Sequence, residues 1–181
     1  MVIGRFLLGM TITTSYMEIK STLTNRSGDI LDVIYRETDP LKDLEGKVLH
    51  GVHGYCFYKD KLILVYTENK KYWTPSGGGI EKGESYQEAL EREVFEESNM
   101  KVLKQKFIGY QDIYEPHQIV RQTRSICIVE PYGDFVADPD GDVTKIELIE
   151  PHRYKEYFDW GEIGDYIMKK ALEIKKNLLE E

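Results

Sequence analysis

Three glutamates near the middle of the chain, Glu93, Glu96 and Glu97, have a spacing that suits metal chemistry. In a helix, residues three and four positions apart lie on the same side, so these three carboxylates would project together. Like charges at this spacing repel each other, and a bound cation would neutralise them. Hard divalent ions such as Mg²⁺ and Mn²⁺ prefer carboxylate oxygens. A solvated helix face is the commoner interpretation of such a short acidic run, so the surrounding residues decide between the two.

Those surroundings predict a helix over residues 85–98. Ser85 is a good N-cap, and Glu88 three residues later completes a capping box. Asn99 follows the helix, and asparagine tolerates the left-handed conformation of a C-terminal cap. The remaining face is apolar and would pack against a sheet; it consists of Tyr86, Ala89, Leu90 and Val94.

A glycine-rich loop precedes this helix. Gly77, Gly78 and Gly79 would let the backbone turn tightly and approach a ligand closely. The loop also carries Glu81 and Glu84, so it is acidic, and the GxxxxGK[ST] phosphate-binding pattern is absent from the sequence. A phosphate bound at this loop would therefore need a metal ion between itself and the protein.

The complete spacing is more specific than its parts. Gly78 is followed by five residues and a glutamate, then by seven residues and the run REVFEE. This pattern resembles the Nudix box, in which a glycine and an aliphatic residue close the motif. Met100 occupies the aliphatic position, and Asn99 replaces the glycine at a helix-capping position. The departure therefore falls on a cap and leaves every acidic position of the motif in place.

The resemblance implies an α+β fold of the Nudix type, an α/β/α sandwich with a mixed β-sheet. It implies hydrolysis of a phosphoanhydride bond in a nucleoside diphosphate linked to another moiety. Substrates of this kind include nucleoside triphosphates, nucleotide sugars and dinucleoside polyphosphates. The implied cofactor is Mg²⁺ or Mn²⁺, which would bridge phosphate oxygens and lower the pKa of the attacking water.

Roles follow by position in the motif. The resemblance assigns the metal ligands to Glu93, Glu96, Glu97 and the carbonyl of Gly78. Arg92 would orient a glutamate, and Glu84 would lie outside the metal ligands. Independently of the family, Arg92 can pair with Glu84 or Glu88 through bidentate hydrogen bonds.

The general base is less closely defined. In this family it is a glutamate of the box or an acidic residue of a later loop, and we favour Glu96. The loop alternatives are Asp140 and Asp142 in the segment DPDGD, which also suits a simple polar turn.

Substrate contacts can be named only as alternatives. Trp73, next to the glycine loop, would stack on a base or pack on the sheet. Arg121 and Arg124 would pair with phosphates or lie on the surface, and the surface interpretation is the stronger. The four histidines show no ligand spacing and are interpreted as structural or exposed; they are His50, His53, His117 and His152.

Composition limits the classes of partner. The 181-residue chain has a formal net charge of −8, which argues against a nucleic-acid polymer as ligand. Apolar runs are too short to span a membrane, so a cytoplasmic protein with a small-molecule substrate is expected. Cys56 and Cys127 lie in apolar strand-like runs and are predicted to be buried free thiols.

Two parts of the chain differ in the strength of their patterns. Residues 48–181 contain strands and a C-terminal helix at 160–179, and they form the predicted Nudix domain. Residues 1–47 are predicted to be an N-terminal extension whose strands pack on that domain. A β-hairpin that turns at residues 26–29 is favoured there over a short helix. The extension is also a candidate surface for forming a homodimer.

Two other functions are compatible with the same fold. One is a catalytically silent Nudix-like module that senses a nucleotide or serves in protein interaction. The other is a Nudix-fold isomerase that acts on a diphosphate ester. The three facing carboxylates favour the hydrolase, because a silent module does not require them.

Overall fold

A computed structural model describes residues 17–25, 27–136, 138–139 and 141–180. Within these residues, eight strands, two α-helices and a 3₁₀ turn follow one another. The order is β1 (Glu18–Thr24), β2 (Ile30–Arg36), β3 (Lys47–Tyr58), β4 (Lys61–Thr67), β5 (Tyr72–Thr74), α1 (Tyr86–Ser98), β6 (Met100–Tyr114), β7 (Ile119–Pro131), β8 (Val143–Ile149), the 3₁₀ turn (Pro151–Glu156) and α2 (Gly161–Glu180).

The strands form one mixed sheet in the order β1-β2-β6-β7-β3-β4-β5, and β8 also pairs with β4. Strands β3 and β7 run parallel, and the other pairings are antiparallel. Strand β4 pairs with β3 only at residues 56–58 of β3. The first half of β3 therefore leaves one edge available to another segment of the chain.

The two helices cover opposite faces of this sheet. The apolar side of α1 packs on one face, where the buried residues include Val52, Cys56, Ile63, Ala89, Leu90 and Val94. Helix α2 packs on the other face with Ile163, Ile167, Ala171, Ile174 and Leu178. Alternating strand residues thus supply two separate cores. The predicted α/β/α sandwich with a mixed sheet is confirmed.

The predicted N-terminal hairpin is also confirmed. Strands β1 and β2 pair antiparallel from Glu18↔Arg36 to Thr24↔Ile30, and β2 continues the sheet by pairing with β6. Cys56 and Cys127 are buried free thiols, as predicted. Within the described part of the chain, no helix is both long and apolar enough to cross a membrane.

Candidate metal-binding and active site

Both ends of helix α1 are capped as the sequence predicts. The Ser85 hydroxyl accepts from the Glu88 N–H at 3.3 Å, and the Glu88 carboxylate accepts from the Ser85 N–H at 2.8 Å. At the other end Asn99 is left-handed, with φ 53°, and its N–H donates to the carbonyl of Phe95. These caps fix the register of the helix, and so they fix the side from which its glutamates project.

The glycine loop occupies the open edge of β3. The Val52 N–H donates to the Gly78 carbonyl at 3.0 Å, and the Gly54 N–H donates to the Ser76 carbonyl at 2.8 Å. A Cβ at Gly77 would overlap the backbone of Val52. Glycine is therefore required here because the loop lies directly against the strand.

Two of the predicted ligands converge on this loop. The Glu97 carboxylate accepts from the Gly77 N–H at 2.8 Å. The Glu93 carboxylate lies so close to Gly78 that a Cβ at that glycine would overlap it. The Gly78 carbonyl already accepts one hydrogen bond from β3, and its second lone pair remains available to a ligand.

Arg92 is held by four groups around the same loop. Its guanidinium donates twice to Glu84, at 2.8 and 3.0 Å, and once to the Gly79 carbonyl at 2.9 Å. It also donates to Glu93 at 2.9 Å and to Glu96 at 3.1 Å. The bidentate pair with Glu84 agrees with one of the two partners expected from the sequence. Arg92 thus fixes the directions of three carboxylates at once.

Burial makes the carboxylates beside the loop unusually basic. Burial is the main cause that raises the pKa of Glu97 to about 8, and the charges of Glu93 and Asp138 raise it further. The hydrogen bond from Gly77 and the charge of Lys70 oppose this effect without cancelling it. Burial also raises the pKa of Glu93. A neighbouring cation would restore the charged form of both groups.

A cleft of about 200 Å³ opens beside these carboxylates. Its lining combines acidic groups with backbone and a few polar side chains, namely His53, Thr67, Lys70, Tyr72, Thr74, Gly77, Gly78, Gly79, Glu93, Glu97, Asp138 and Asp142. Helix α1, the glycine loop and the loop between β7 and β8 therefore meet at one cavity. Glu96 lies on the same helix, paired with Arg92, and is not among the described lining residues.

Asp138 is the acidic loop residue that sequence reasoning missed. It is 8% exposed, and its carboxylate accepts from the backbone N–H groups of Asp142 and Val143 at 3.0 Å. Asp142 also lines the cleft, where it accepts a hydrogen bond from Asn69. Asp140 lies outside the described residues. The DPDGD segment does reach the cleft, but its sequence does not show which aspartate turns inward.

The donor set fits a hard divalent ion. Glu93, Glu97 and Asp138 are acidic groups whose charges act on one another around one cleft, and Gly78 lines the same cleft. Among the described residues, no three acidic, histidine or cysteine side chains are already close enough together to form a finished metal site. The pairing of Arg92 with Glu93 and Glu96 accounts for this, because it directs those carboxylates toward the guanidinium.

The predicted substrate residues Trp73, Arg121 and Arg124 are not among the described residues that line the cleft. Trp73 packs between Tyr66 and Tyr157, with ring centroids 5.3 and 5.8 Å away. The surface interpretation of Arg121 and Arg124 is wrong, because they are 0% and 3% exposed. Strand β7 spans Ile119–Pro131, so both arginines lie inside the sheet.

His53 is a further residue at the site, interpreted from the sequence only as structural or exposed. It lines the cleft, and its Nδ1 lies 3.2 Å from Nη1 of Arg124. The other three histidines are exposed, as the sequence interpretation allowed. No local pattern would have identified His53, because its neighbours Arg124 and Trp160 are far from it in sequence.

The sequence matches the NUDIX domain family over residues 51–170. Among curated proteins, none matches it significantly. Similar solved structures include a Bacillus subtilis pyrophosphohydrolase, with a TM-score of 0.64 and 18% identity, covering 84% of this chain and 96% of that one. A MutT protein from Bacillus halodurans has a TM-score of 0.52 and 22% identity, covering 67% and 80%.

A NUDIX hydrolase from Nitrosomonas europaea is similar over 66% of this chain and 84% of its own, with a TM-score of 0.53 and 17% identity. At such identities these three similarities show the fold. The family match covers most of the chain and includes the glycine loop and helix α1. The chain therefore belongs to the NUDIX family, as a Nudix hydrolase that acts on acid anhydrides.

Proposed function

We propose that this protein hydrolyses a phosphoanhydride bond in a nucleoside diphosphate linked to another moiety, with Mg²⁺ or Mn²⁺ as cofactor. The observation that carries the proposal is the crowding of Glu93, Glu97 and Asp138 around one cleft. Burial and mutual repulsion raise the pKa of Glu97 to about 8. An anionic substrate would not enter such a cleft unless a cation offset its charge.

The proposed metal ligands are Glu93, Glu96, Glu97 and the Gly78 carbonyl. A divalent ion held there would offset charge on the phosphate oxygens and make water more acidic. Glu96 would rotate away from Arg92, while Arg92 kept its two hydrogen bonds to Glu84. Arg92 would thereby keep the glycine loop and the helix in register during the reaction.

We propose Glu96 as the general base. Its side chain is 31% exposed, and one of its oxygens forms no hydrogen bond within the described residues. Asp138 is the alternative, and its carboxylate is already engaged by two backbone N–H groups. Glu96→Gln should lower kcat more than Asp138→Asn does, and the reverse order would assign the base to the loop.

The substrate is proposed to be a small molecule. Similar folds include a pyrophosphohydrolase and MutT proteins, which supports a nucleotide carrying a chain of phosphates. Nucleoside triphosphates, nucleotide sugars and dinucleoside polyphosphates all contain the required bond. The net charge of −8 supports these over a nucleic-acid polymer.

We further propose that residues 1–47 extend the Nudix domain formed by residues 48–181. The pairing of β2 with β6 and the ion pair between Arg36 and Asp112 support this division of roles. A homodimer built through the extension is part of the same proposal. Sedimentation of the full chain tests the dimer, and a single species of monomer mass would contradict it.

A panel of nucleotides tests the proposed activity. Purified wild-type protein with Mg²⁺ should convert at least one class of nucleoside diphosphate derivative into two phosphate-bearing products, and a chelator should stop the reaction. When the reaction is run in ¹⁸O-labelled water, one product should carry the label on phosphorus. Binding of nucleotides without cleavage of any panel member would instead support the silent sensing module.

A further inference from the structure

Arg124 is a buried cation, and the groups that accept its hydrogen bonds among the described residues are all uncharged. It is 3% exposed, and its guanidinium donates to the Thr123 carbonyl at 2.9 Å and to the Gln122 side chain at 3.1 Å. Its third contact is Nδ1 of His53, and its Nε has no partner among the described residues. Burial lowers the pKa of Arg124 to about 10. A buried charge without a counter-charge is costly, so this arrangement needs a reason.

The other buried arginine of the same strand shows what is missing. Arg121 makes a bidentate pair with Asp112, at 2.7 and 2.9 Å, and also donates to two backbone carbonyls. Arg124, in contrast, forms no ion pair with any residue that the structure describes. The buried guanidinium of Arg121 thus pairs with a carboxylate, whereas that of Arg124 contacts a neutral histidine.

The contact with Arg124 fixes the tautomer of His53. A guanidinium only donates hydrogen bonds, so Nδ1 of His53 must accept and the ring proton must be on Nε2. Burial, with the charges of Arg124 and Lys70, holds the pKa of His53 well below its ordinary value. The ring is therefore neutral at physiological pH, with one acceptor nitrogen and one donor nitrogen.

Aromatic packing fixes the position of the ring as well. Trp160 meets His53 edge to face, with ring centroids 5.6 Å apart and an interplanar angle of 89°. The same indole lies 5.5 Å from the Arg124 guanidinium carbon. The imidazole is thus held by Arg124 of β7 and by Trp160, which immediately precedes α2, while it lines the cleft beside Glu93 and Glu97.

The Nε2–H of His53 has no acceptor among the described residues, although Nδ1 is engaged. A fixed donor in an otherwise acidic cleft suits an anionic oxygen. Two cations, Arg124 and Lys70, act on this ring, and Lys70 itself lines the cleft. Their combined field favours a phosphate oxygen over a neutral acceptor at this position.

We propose that His53 binds substrate by donating Nε2–H to a phosphate oxygen, and that Arg124 is a positioning residue which fixes the tautomer and orientation of His53. This inference rests on the proposed function, because it places a nucleoside diphosphate in the cleft. It also gives a reason for burying the Arg124 guanidinium, because this cation would polarise the imidazole that binds the phosphate.

Two substitutions at His53 separate substrate binding from a structural role. His53→Asn can keep an acceptor for Arg124 but loses the donor at the position of Nε2. His53→Gln can place an amide N–H near Nε2 but loses the acceptor at Nδ1. We expect His53→Asn to raise KM about 10- to 100-fold with kcat within about threefold, since a hydrogen bond to a charged group is lost. We expect His53→Gln to recover most of that loss.

Exposed His152 provides the matched control, and His152→Asn should change neither constant. If His53→Asn is normal and His53→Gln is impaired, the side chain serves only to accept from Arg124 and the proposal is overturned. Thermal unfolding of each variant shows whether a change in KM reflects loss of fold.

Nitrogen NMR of ¹⁵N-histidine-labelled protein tests the inference without turnover. His53 should show a protonated Nε2 and an unprotonated Nδ1, and this preference should weaken in Arg124→Met. Titration with Mg²⁺ and the α,β-methylene analogue of ADP should shift the His53 Nε2–H resonance. The resonances of His50, His117 and His152 should stay in place.

The two proposals can fail separately in these experiments. A wild-type protein that cleaves no nucleotide contradicts the proposed function, while a shifted His53 resonance would still support phosphate binding. Cleavage without any shift at saturating analogue, or a proton found on Nδ1, would overturn the role of His53 and leave the hydrolase proposal intact.

Discussion

Two clusters of buried charge in this protein have opposite balances. Around Asp112, one carboxylate meets three cations: Arg121 at 2.7 Å, Lys47 at 3.1 Å and Arg36 at 3.3 Å. Burial alone would raise the pKa of Asp112, but hydrogen bonds from Arg121 and Lys47 outweigh it and lower the pKa. The charge of Asp112 is therefore fully compensated within the protein. The ion pairs also link the N-terminal hairpin and β3 to β6.

The cleft beside the glycine loop has the reverse balance. Glu93, Glu97 and Asp138 repel one another, and the opposing charge of Lys70 leaves the pKa of Glu97 near 8. Both clusters are buried and both are rich in charge, so burial alone does not identify the functional one. The distinguishing property of the cleft is that it has fewer cations than carboxylates. A cation bound from outside the chain would restore the balance.

The largest expected effect is on activity. Glu97→Gln should lower kcat about 1,000-fold, or roughly 4 kcal/mol of transition-state stabilisation, because a charged metal ligand is lost. The amide can still accept from the Gly77 N–H, so the fold should persist. Steady-state kinetics with Mg²⁺ measures the effect. Glu91→Gln, on the exposed side of the same helix, is the control and should leave kcat unchanged.

The Asp112 cluster should respond in stability instead. Asp112→Asn leaves Arg121 buried without its counter-charge, and we expect a loss of about 3 kcal/mol or more in the free energy of unfolding. Urea denaturation measures this loss. The control is Asp32→Asn, at an exposed position of strand β2. The folded fraction should keep its kcat. An unchanged unfolding free energy would show that the cluster does not support the fold.

The pH dependence of stability should also separate the clusters. The pKa of Glu97 rises from an ordinary value of 4.5 to about 8 in the metal-free fold. Between these values the folded state keeps a proton that the unfolded chain releases, so stability falls as pH rises and levels off above about pH 8. We expect a fall on the order of 1–2 kcal/mol, because partial access of water screens the charge.

Unfolding of the metal-free protein at several pH values measures that fall. The difference between wild type and Glu97→Gln isolates the contribution of this carboxylate, and Asp112 should contribute with the opposite sign at lower pH. A wild type that becomes more stable than Glu97→Gln as pH rises from 5 to 8 would contradict the assignment.

The smallest effect is expected at Asn99, which belongs to neither cluster. At φ 53° a residue with a Cβ is strained, but the Asn99 side chain donates to the Asp134 carbonyl at 2.7 Å. Asn99→Ala should therefore destabilise the protein by about 1 kcal/mol, and Asn99→Gly by less. Thermal unfolding measures both. A large fall in kcat for Asn99→Gly would show that the departure from the Nudix box reaches the chemistry.

Local patterns were enough to predict most of the fold. Helix α1 followed from the capping box at Ser85 and the apolar positions of one face, and its observed limits are Tyr86–Ser98. The C-terminal helix, predicted at residues 160–179, is observed at Gly161–Glu180. The strand order was not predictable from these patterns, because pairing such as β3 with β7 joins residues far apart in sequence.

The site was predictable where it is local in sequence. Glu93, Glu97 and Gly78 belong to one short segment; helical spacing places the two glutamates on one side of α1, and the adjoining loop brings Gly78 beside them. His53 and Asp138 come from β3 and the β7–β8 loop, so only the tertiary fold places them at the cleft. The surface interpretation of Arg121 and Arg124 was wrong because charged side chains are usually exposed, whereas here each has buried hydrogen-bond partners.

Metal binding tests the central claim most directly. Metal-free wild type, Glu97→Gln, Glu91→Gln and Asp112→Asn would each be titrated with Mn²⁺ and followed by electron paramagnetic resonance. We predict saturable Mn²⁺ binding by wild type, Glu91→Gln and folded Asp112→Asn, and binding weakened at least about 10-fold in Glu97→Gln. Equal Mn²⁺ affinity in wild type and Glu97→Gln would contradict the claim that this acidic cleft is completed by a divalent ion.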